Sequence, residues 1–122
     1  NETELHMLTK TDRIETRLPE AVGFLKAKGI KNVLVTLGEN GVYLDAEDTG
    51  VSKIPALKVE AVDTTAAGDS FTAAMAVILS QGKSLKEAAV FAIQVSAIVV
   101  TRKGAQSSIP FLDEVTEYLS SL

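Results

Sequence analysis

The segment "LKEAAVFAIQVSAIVVT", residues 85–101, is apolar on nearly every face of the helix its periodicity describes. Such a helix cannot lie on a surface with one side in water; it needs packing partners on more than one side. Ser84, with Glu87 three residues on, has the spacing of a capping box and marks where the helix begins. The rest of the chain must therefore supply layers that cover it.

Those layers are legible upstream. "NVLVTLG" is a continuous β-rich run of the kind buried on both faces of a parallel sheet. "ENG" then supplies a turn and "VYLDA" returns as a second strand. "GVSKIPA" and "LKVEAVD" are shorter strand candidates around Pro55. Before the strands, "NETELHMLT" reads as a short helix capped by Asn1. "TDRIETRLPEAVGFLKAKGI" carries Ile14, Leu18, Val22 and Leu25 on one face, with a break or the start of a second helix expected at Pro19 and a stop at Gly29. Gly82 ends the helix before Ser84, and "IPFLDEVTEYLSSL" closes the chain as a helix with Leu112, Val115 and Leu119 in register. Helix, strands, then helices is the order of the later part of an α/β sandwich.

Composition removes several chemistries. The 122 residues make one domain at most, or a piece of one, and 46% hydrophobic with 23% charged residues is globular rather than disordered. No cysteine is present, so disulfides and thiolate metal sites are excluded, and His6 alone argues against zinc or a Ser-His-Asp triad. A net charge of −4 without a basic stripe argues against a nucleic-acid surface. No apolar run reaches the ~18 residues of a membrane span. A cytoplasmic location is expected.

The chemistry concentrates in "AVDTTAAGDSF", residues 61–71. Phe71, Ala74, Met75, Ile78 and Leu79 recur at helical spacing, so "DTTAAGD" is a turn into a helix, with Asp69 in its first turn. The first N–H groups of a helix lack intrahelical partners and carry the positive end of its dipole. Small side chains at Ala66, Ala67 and Gly68 leave those groups open to an anion. A carboxylate beside an anion pocket is out of place as a second ligand. It is in place as a base that takes a proton from a hydroxyl attacking a bound phosphate. The structural alternative is a tight turn in which Asp69 merely stabilises its own helix. A P-loop is excluded, because no Gly-Lys-Ser/Thr run occurs.

"DTTAAGDSF" resembles the signature of the ribokinase-like (PfkB-type) sugar kinases, D-T-x-[AG]-A-G-D-x-F. Three further motifs follow the family's order: "NETE" is similar to its Asn-x-x-Glu motif, "VTLGENGVYL" to its nucleotide-binding strand and turn, and "VTRKGAQSSIP" to a monovalent-cation loop. Singly, each is an ordinary turn, helix start or basic loop; jointly they cover nearly the whole chain. The ribokinases are the nearest branch.

The resemblance implies an α/β fold, the C-terminal part of a three-layer α/β/α ribokinase-like (Rossmann-like) sandwich. It implies that residues 1–122 are the nucleotide-binding part of a kinase domain, with the sugar-binding and lid part absent, so that the chain alone would be inactive. The reaction implied is ATP-dependent phosphorylation of a sugar primary hydroxyl, with D-ribose giving ribose 5-phosphate. Another sugar, a nucleoside, or a non-catalytic nucleotide-binding fragment are the alternatives.

By the same resemblance Asp69 is the general base and sugar contact, and Ala66, Ala67 and Gly68 are the anion hole. Asn1, Leu37, Gly38, Glu39, Asn40, Gly41, Val42, Gly68, Asp69 and Ile93 contact ATP. Ile93 makes an apolar adenine contact at a position where ribokinases can carry a polar ring. Glu4 organises water around Mg²⁺. Asp63, Thr65, Val99, Arg102, Gly104 and Ser108 form a K⁺ shell, largely through backbone carbonyls. The partners implied are ATP and a small sugar, with neither nucleic acid nor membrane, and a homodimer at full length.

Overall fold

The computed structural model describes residues 1–102. They form two compact units, Asn1–Pro55 and a second that begins at Ala56.

The first unit opens with α1 (Glu2–Thr9), whose start is a complete capping box. Asn1 Oδ1 accepts from the Glu4 N–H at 2.9 Å, and Glu4 Oε2 accepts from the Asn1 backbone nitrogen at 2.8 Å. The helix stops at Lys10, which turns left-handed (φ 54°) and donates its N–H to His6 O at 2.7 Å. A short 3₁₀ turn at Ile14–Thr16 precedes α2 (Leu18–Ala27). The break expected at Pro19 is therefore real, and it falls just before the proline. Pro19 occupies the first turn of α2, where a missing N–H costs nothing. Gly29, at φ 96°, follows the last turn as the expected stop.

The sheet is an antiparallel meander, β1 (Val33–Thr36), β2 (Val42–Ala46) and β3 (Gly50–Ile54), in the order β1-β2-β3. Val35 pairs with Tyr43 and Thr36 with Val42; Leu44 pairs with Ser52 on the other side. Val33, Val35 and Tyr43 pack with Leu5, Ile14, Leu18, Ala21 and Val22 to make this unit's core.

The hairpin expected from the "ENG" turn forms: the described strands are antiparallel, since a parallel crossover takes about a dozen residues or more and neither connection is that long. One expectation is corrected here. The strand buried on both faces is β2, not β1. Val42, Tyr43, Leu44 and Ala46 are all buried, whereas in β1 only Val33 and Val35 are, and Leu34 and Thr36 stay half-buried. β2 has neighbours on both edges, which is why its short "VYLDA" run carries the central position. Leu44 is fully buried, and its truncation to alanine would cost about 2–5 kcal/mol.

The second unit begins with an irregular segment. "LKVEAVD" forms no strand, because its alternation marks a half-buried face without bringing it a ladder partner. α3 (Ala67–Ser80) and α4 (Leu85–Val100) then pack along each other. α3 contributes Phe71, Ala74 and Ile78, while Met75 is half-buried and Leu79 partly exposed. Gly82 (φ 79°) carries the chain into Ser84, whose hydroxyl accepts from the Glu87 N–H at 3.1 Å. α4 is as deeply set as its composition demands: Ala88, Ala89, Ala92, Ile93, Val95, Ala97, Ile98 and Val99 are buried. The loop "RKGAQSS" beyond Arg102, with Gly104 and Ser108, and the closing helix with Leu112, Val115 and Leu119 lie outside the described residues.

Candidate active site

α3 begins without any side-chain cap. Ala66 is its N-cap residue and has no side-chain oxygen to offer, so the first N–H groups must look elsewhere. That of Ala67 turns back to Thr64 O at 3.2 Å. This corrects the sequence reading in one respect, because the Ala67 N–H already serves the turn. Gly68 and Asp69 supply the next N–H groups, neither with an intrahelical acceptor.

Both residues are exposed. A Cβ built on Gly68 would meet no atom of the described residues within 4 Å, and its φ is ordinary for a helix. Nothing inside the described structure calls for glycine there, although glycine costs a helix roughly 0.5–1 kcal/mol against alanine. Among the described residues, the absent side chain leaves the approach to the helix N-terminus open. The Asp69 carboxylate stands in the first turn and forms no hydrogen bond or ion pair among the described residues. It is held beside the positive end of the helix dipole.

The turn before α3 is stapled down. Asp63 Oδ1 accepts from the Thr65 N–H at 2.9 Å and, by a very short contact, from the Thr65 hydroxyl. The N–H groups of Val62 and Asp63 donate to Val100 O at 2.6 and 3.1 Å, meeting an otherwise orphaned carbonyl at the end of α4. The structure thus brings Asp63 and Thr65 to the C-terminal end of α4, where Val99 and Arg102 lie. Val99 is buried and its carbonyl accepts from the Arg102 N–H at 3.1 Å. A carboxylate at the negative end of a helix dipole suits a cation. Ile93 sits on α4 and is buried.

In the first unit, residues 37–42 form a self-bonded turn. Leu37 donates to Gly41 O at 2.8 Å, and the Asn40 and Gly41 N–H groups return to Leu37 O and Gly38 O at 3.0 and 3.1 Å. Gly41 (φ 87°, ψ −132°) takes a conformation that L side chains resist, and its carbonyl bond to Leu37 closes the loop. Gly38, Glu39 and Asn40 are exposed, while Gly41 and Val42 are buried. Asn1 and Glu4 are exposed too, with their side chains spent on the α1 cap through Asn1 Oδ1 and one Glu4 oxygen.

The sequence reading missed Ser70. It is fully buried, and its hydroxyl donates to Ala66 O at 2.7 Å and Ala67 O at 3.0 Å. Ser96, on α4, reaches the same Ala67 carbonyl at 3.4 Å.

The profile of the pfkB family carbohydrate kinases matches residues 1–112. The chain belongs to the PfkB family. Among PfkB relatives, the ribokinase of Haemophilus influenzae is 42% identical over 121 residues, covering 98% of this chain and 39% of that protein. The deoxyribokinase of Salmonella typhi is 39% identical over 122 residues, again covering 98% of this chain and 39% of the relative. The Arabidopsis thaliana ribokinase, solved in complex with ribose and ATP, superposes with a TM-score of 0.87 at 38% identity, covering 98% of this chain and 39% of that one. The α/β ribokinase-like fold is thereby established for this part of the chain. The chain spans about two fifths of the length of each relative. Among the described residues, no helix is long and apolar enough to cross a membrane.

Proposed function

We propose that this chain is the nucleotide-binding, C-terminal part of a PfkB sugar kinase that transfers the γ-phosphoryl group of ATP to the primary hydroxyl of D-ribose. The observation that carries the reading is the pairing at the start of α3, inside the family signature: an Asp69 carboxylate that forms no hydrogen bond or ion pair among the described residues, next to a Gly68 that none of them crowds.

Phosphoryl transfer needs positioning and charge stabilisation more than covalent help. Asp69 accepts the proton of the attacking hydroxyl and orients that oxygen. The N–H groups of Gly68 and Asp69 meet the charge that gathers on the transferring group, with Ala66 and Ala67 forming the floor of the hole. Residues 37–42 and Ile93 bind the nucleotide, and Asn1 approaches its phosphates. Mg²⁺, when bound, neutralises phosphate charge; Glu4 would hold its water shell through the carboxylate oxygen not used in the cap. Asp63, Thr65, Val99, Arg102, Gly104 and Ser108 would hold K⁺, whose charge would steady the turn that carries the hole.

The likeness to a deoxyribokinase keeps 2-deoxyribose as a second reading of the substrate. The test is ADP release by the complete protein with ATP and either sugar, in the wild type and in Asp69→Asn. Sugar-dependent turnover that collapses by about 10²- to 10⁴-fold in Asp69→Asn supports the reading. Turnover with neither sugar, or equal turnover in the variant, overturns it.

A further inference from the structure

We propose that Ser70 and Ser96 are positioning residues for phosphoryl transfer, which together hold the peptide unit whose N–H, that of Gly68, faces the moving phosphoryl group. The proposal rests on the reading of the α3 N-terminus as the anion hole.

Ser70 is the single buried polar residue among the described residues, at 2% exposure. Its hydroxyl proton is shared between Ala66 O at 2.7 Å and Ala67 O at 3.0 Å. Ser96 adds a longer contact of 3.4 Å to Ala67 O from the neighbouring helix, 29 residues away in sequence. Two hydroxyls from two helices thus converge on one carbonyl. That carbonyl belongs to the rigid amide plane that ends in the Gly68 N–H. Holding the oxygen fixes the direction in which the N–H points. Donation to the oxygen also polarises the amide and strengthens the N–H as a donor.

Helix formation does not explain the pair. A serine inside a helix that bonds back to the preceding turn is slightly unfavourable for the helix itself. The other buried residues of α3 are Phe71, Ala74 and Ile78, and alanine in place of Ser70 would bring no polar group to satisfy. Its two acceptors are the carbonyls of Ala66 and Ala67, the residues on which the hole is built. The shorter bonds belong to Ser70, so its loss should weigh more than that of Ser96.

The test uses the complete protein with ATP and D-ribose, comparing Ser70→Ala, Ser96→Ala, Ser96→Thr and Asp69→Asn. The expected result is a kcat lower by about tenfold in Ser70→Ala, less in Ser96→Ala, with KM for both substrates within about twofold of wild type. Binding of ADP with aluminium fluoride, which mimics the transferring group, should weaken alongside kcat while binding of ADP alone holds. Ser96→Thr, which keeps the hydroxyl, should recover activity. If Ser70→Ala does not fold, the Ser96→Ala and Ser96→Thr pair decides. Wild-type kcat in the alanine variants with activity lost in Asp69→Asn overturns the positioning role and leaves the base intact. Wild-type turnover in Asp69→Asn removes the anion-hole reading and this proposal with it.

Discussion

Lys26 Nζ donates to Asp45 Oδ1 at 2.6 Å, joining α2 to the central strand of the sheet. Both side chains are less than a third exposed, at 31% and 18%. The pair is therefore shielded enough to exceed an ordinary surface ion pair, yet wet enough to escape the full cost of burying charge. Replacing either partner alone, as in Lys26→Met or Asp45→Asn, should destabilise the fold by about 1–2 kcal/mol. The double variant should lose less than the two singles combined, by about 1 kcal/mol of coupling. Urea unfolding of the four proteins measures this, and strict additivity would show that the contact contributes nothing.

Tyr43 lies on the same strand, and burial raises its phenol above the usual 10, with Asp45 adding to the effect and Lys26 opposing it. The folded state holds the neutral phenol more tightly than the unfolded chain does. Its contribution to stability is therefore complete below about pH 10 and is lost as pH rises through the higher folded value. The melting temperature of the wild type should fall more steeply above pH 10 than that of Tyr43→Phe, with the two curves parallel at neutral pH. Parallel curves throughout would show that the phenol titrates alike in both states.

Local chemistry was the legible part of this chain. The Asn1 cap, the break at Pro19, the stop at Gly29, the Ser84 cap and the turn into α3 with Asp69 in its first turn all follow from neighbours in sequence. The two readings diverge where the answer depends on a partner outside the segment itself. "NVLVT" and "VYLDA" are both apolar, and only the pairing order reveals that the second is central. "LKVEAVD" alternates like a strand, but alternation names a face and not a neighbour. The candidate site divides in the same way. Asp69 and Gly68 are visible as a motif. The engagement of the Ala67 N–H by Thr64 O, and the convergence of Ser70 and Ser96 on one carbonyl, are facts of three-dimensional placement.

The staple at Asp63 leads to an ionic prediction. Its carboxylate is oriented by Thr65, and its backbone is tied to the end of α4 through Val100 O. Activity of the complete protein should rise when K⁺ replaces a bulky organic cation at constant ionic strength, with Na⁺ less effective. Asp63→Ala should abolish the difference between cations rather than lower every rate equally. Steady-state rates across the chloride salts provide the check, and equal rates in all three would count against a cation at this turn.

Gly68 separates stability from function most sharply. It is helical, its φ is not positive, and a methyl group there would touch nothing within 4 Å among the described residues. By backbone physics alone, Gly68→Ala should stabilise the fold by about 0.5–1 kcal/mol, because alanine loses less conformational freedom on entering a helix. If the glycine is retained so that a phosphoryl group can approach the first N–H groups of α3, the same methyl stands in that path. The expected outcome is a protein that melts higher and works worse, with kcat down by about 10-fold or more. Calorimetry and a coupled ADP assay on one preparation read both quantities. A variant that gains stability and keeps its turnover would show that nothing approaches Gly68 during the reaction, and the hole would have to be built from other donors.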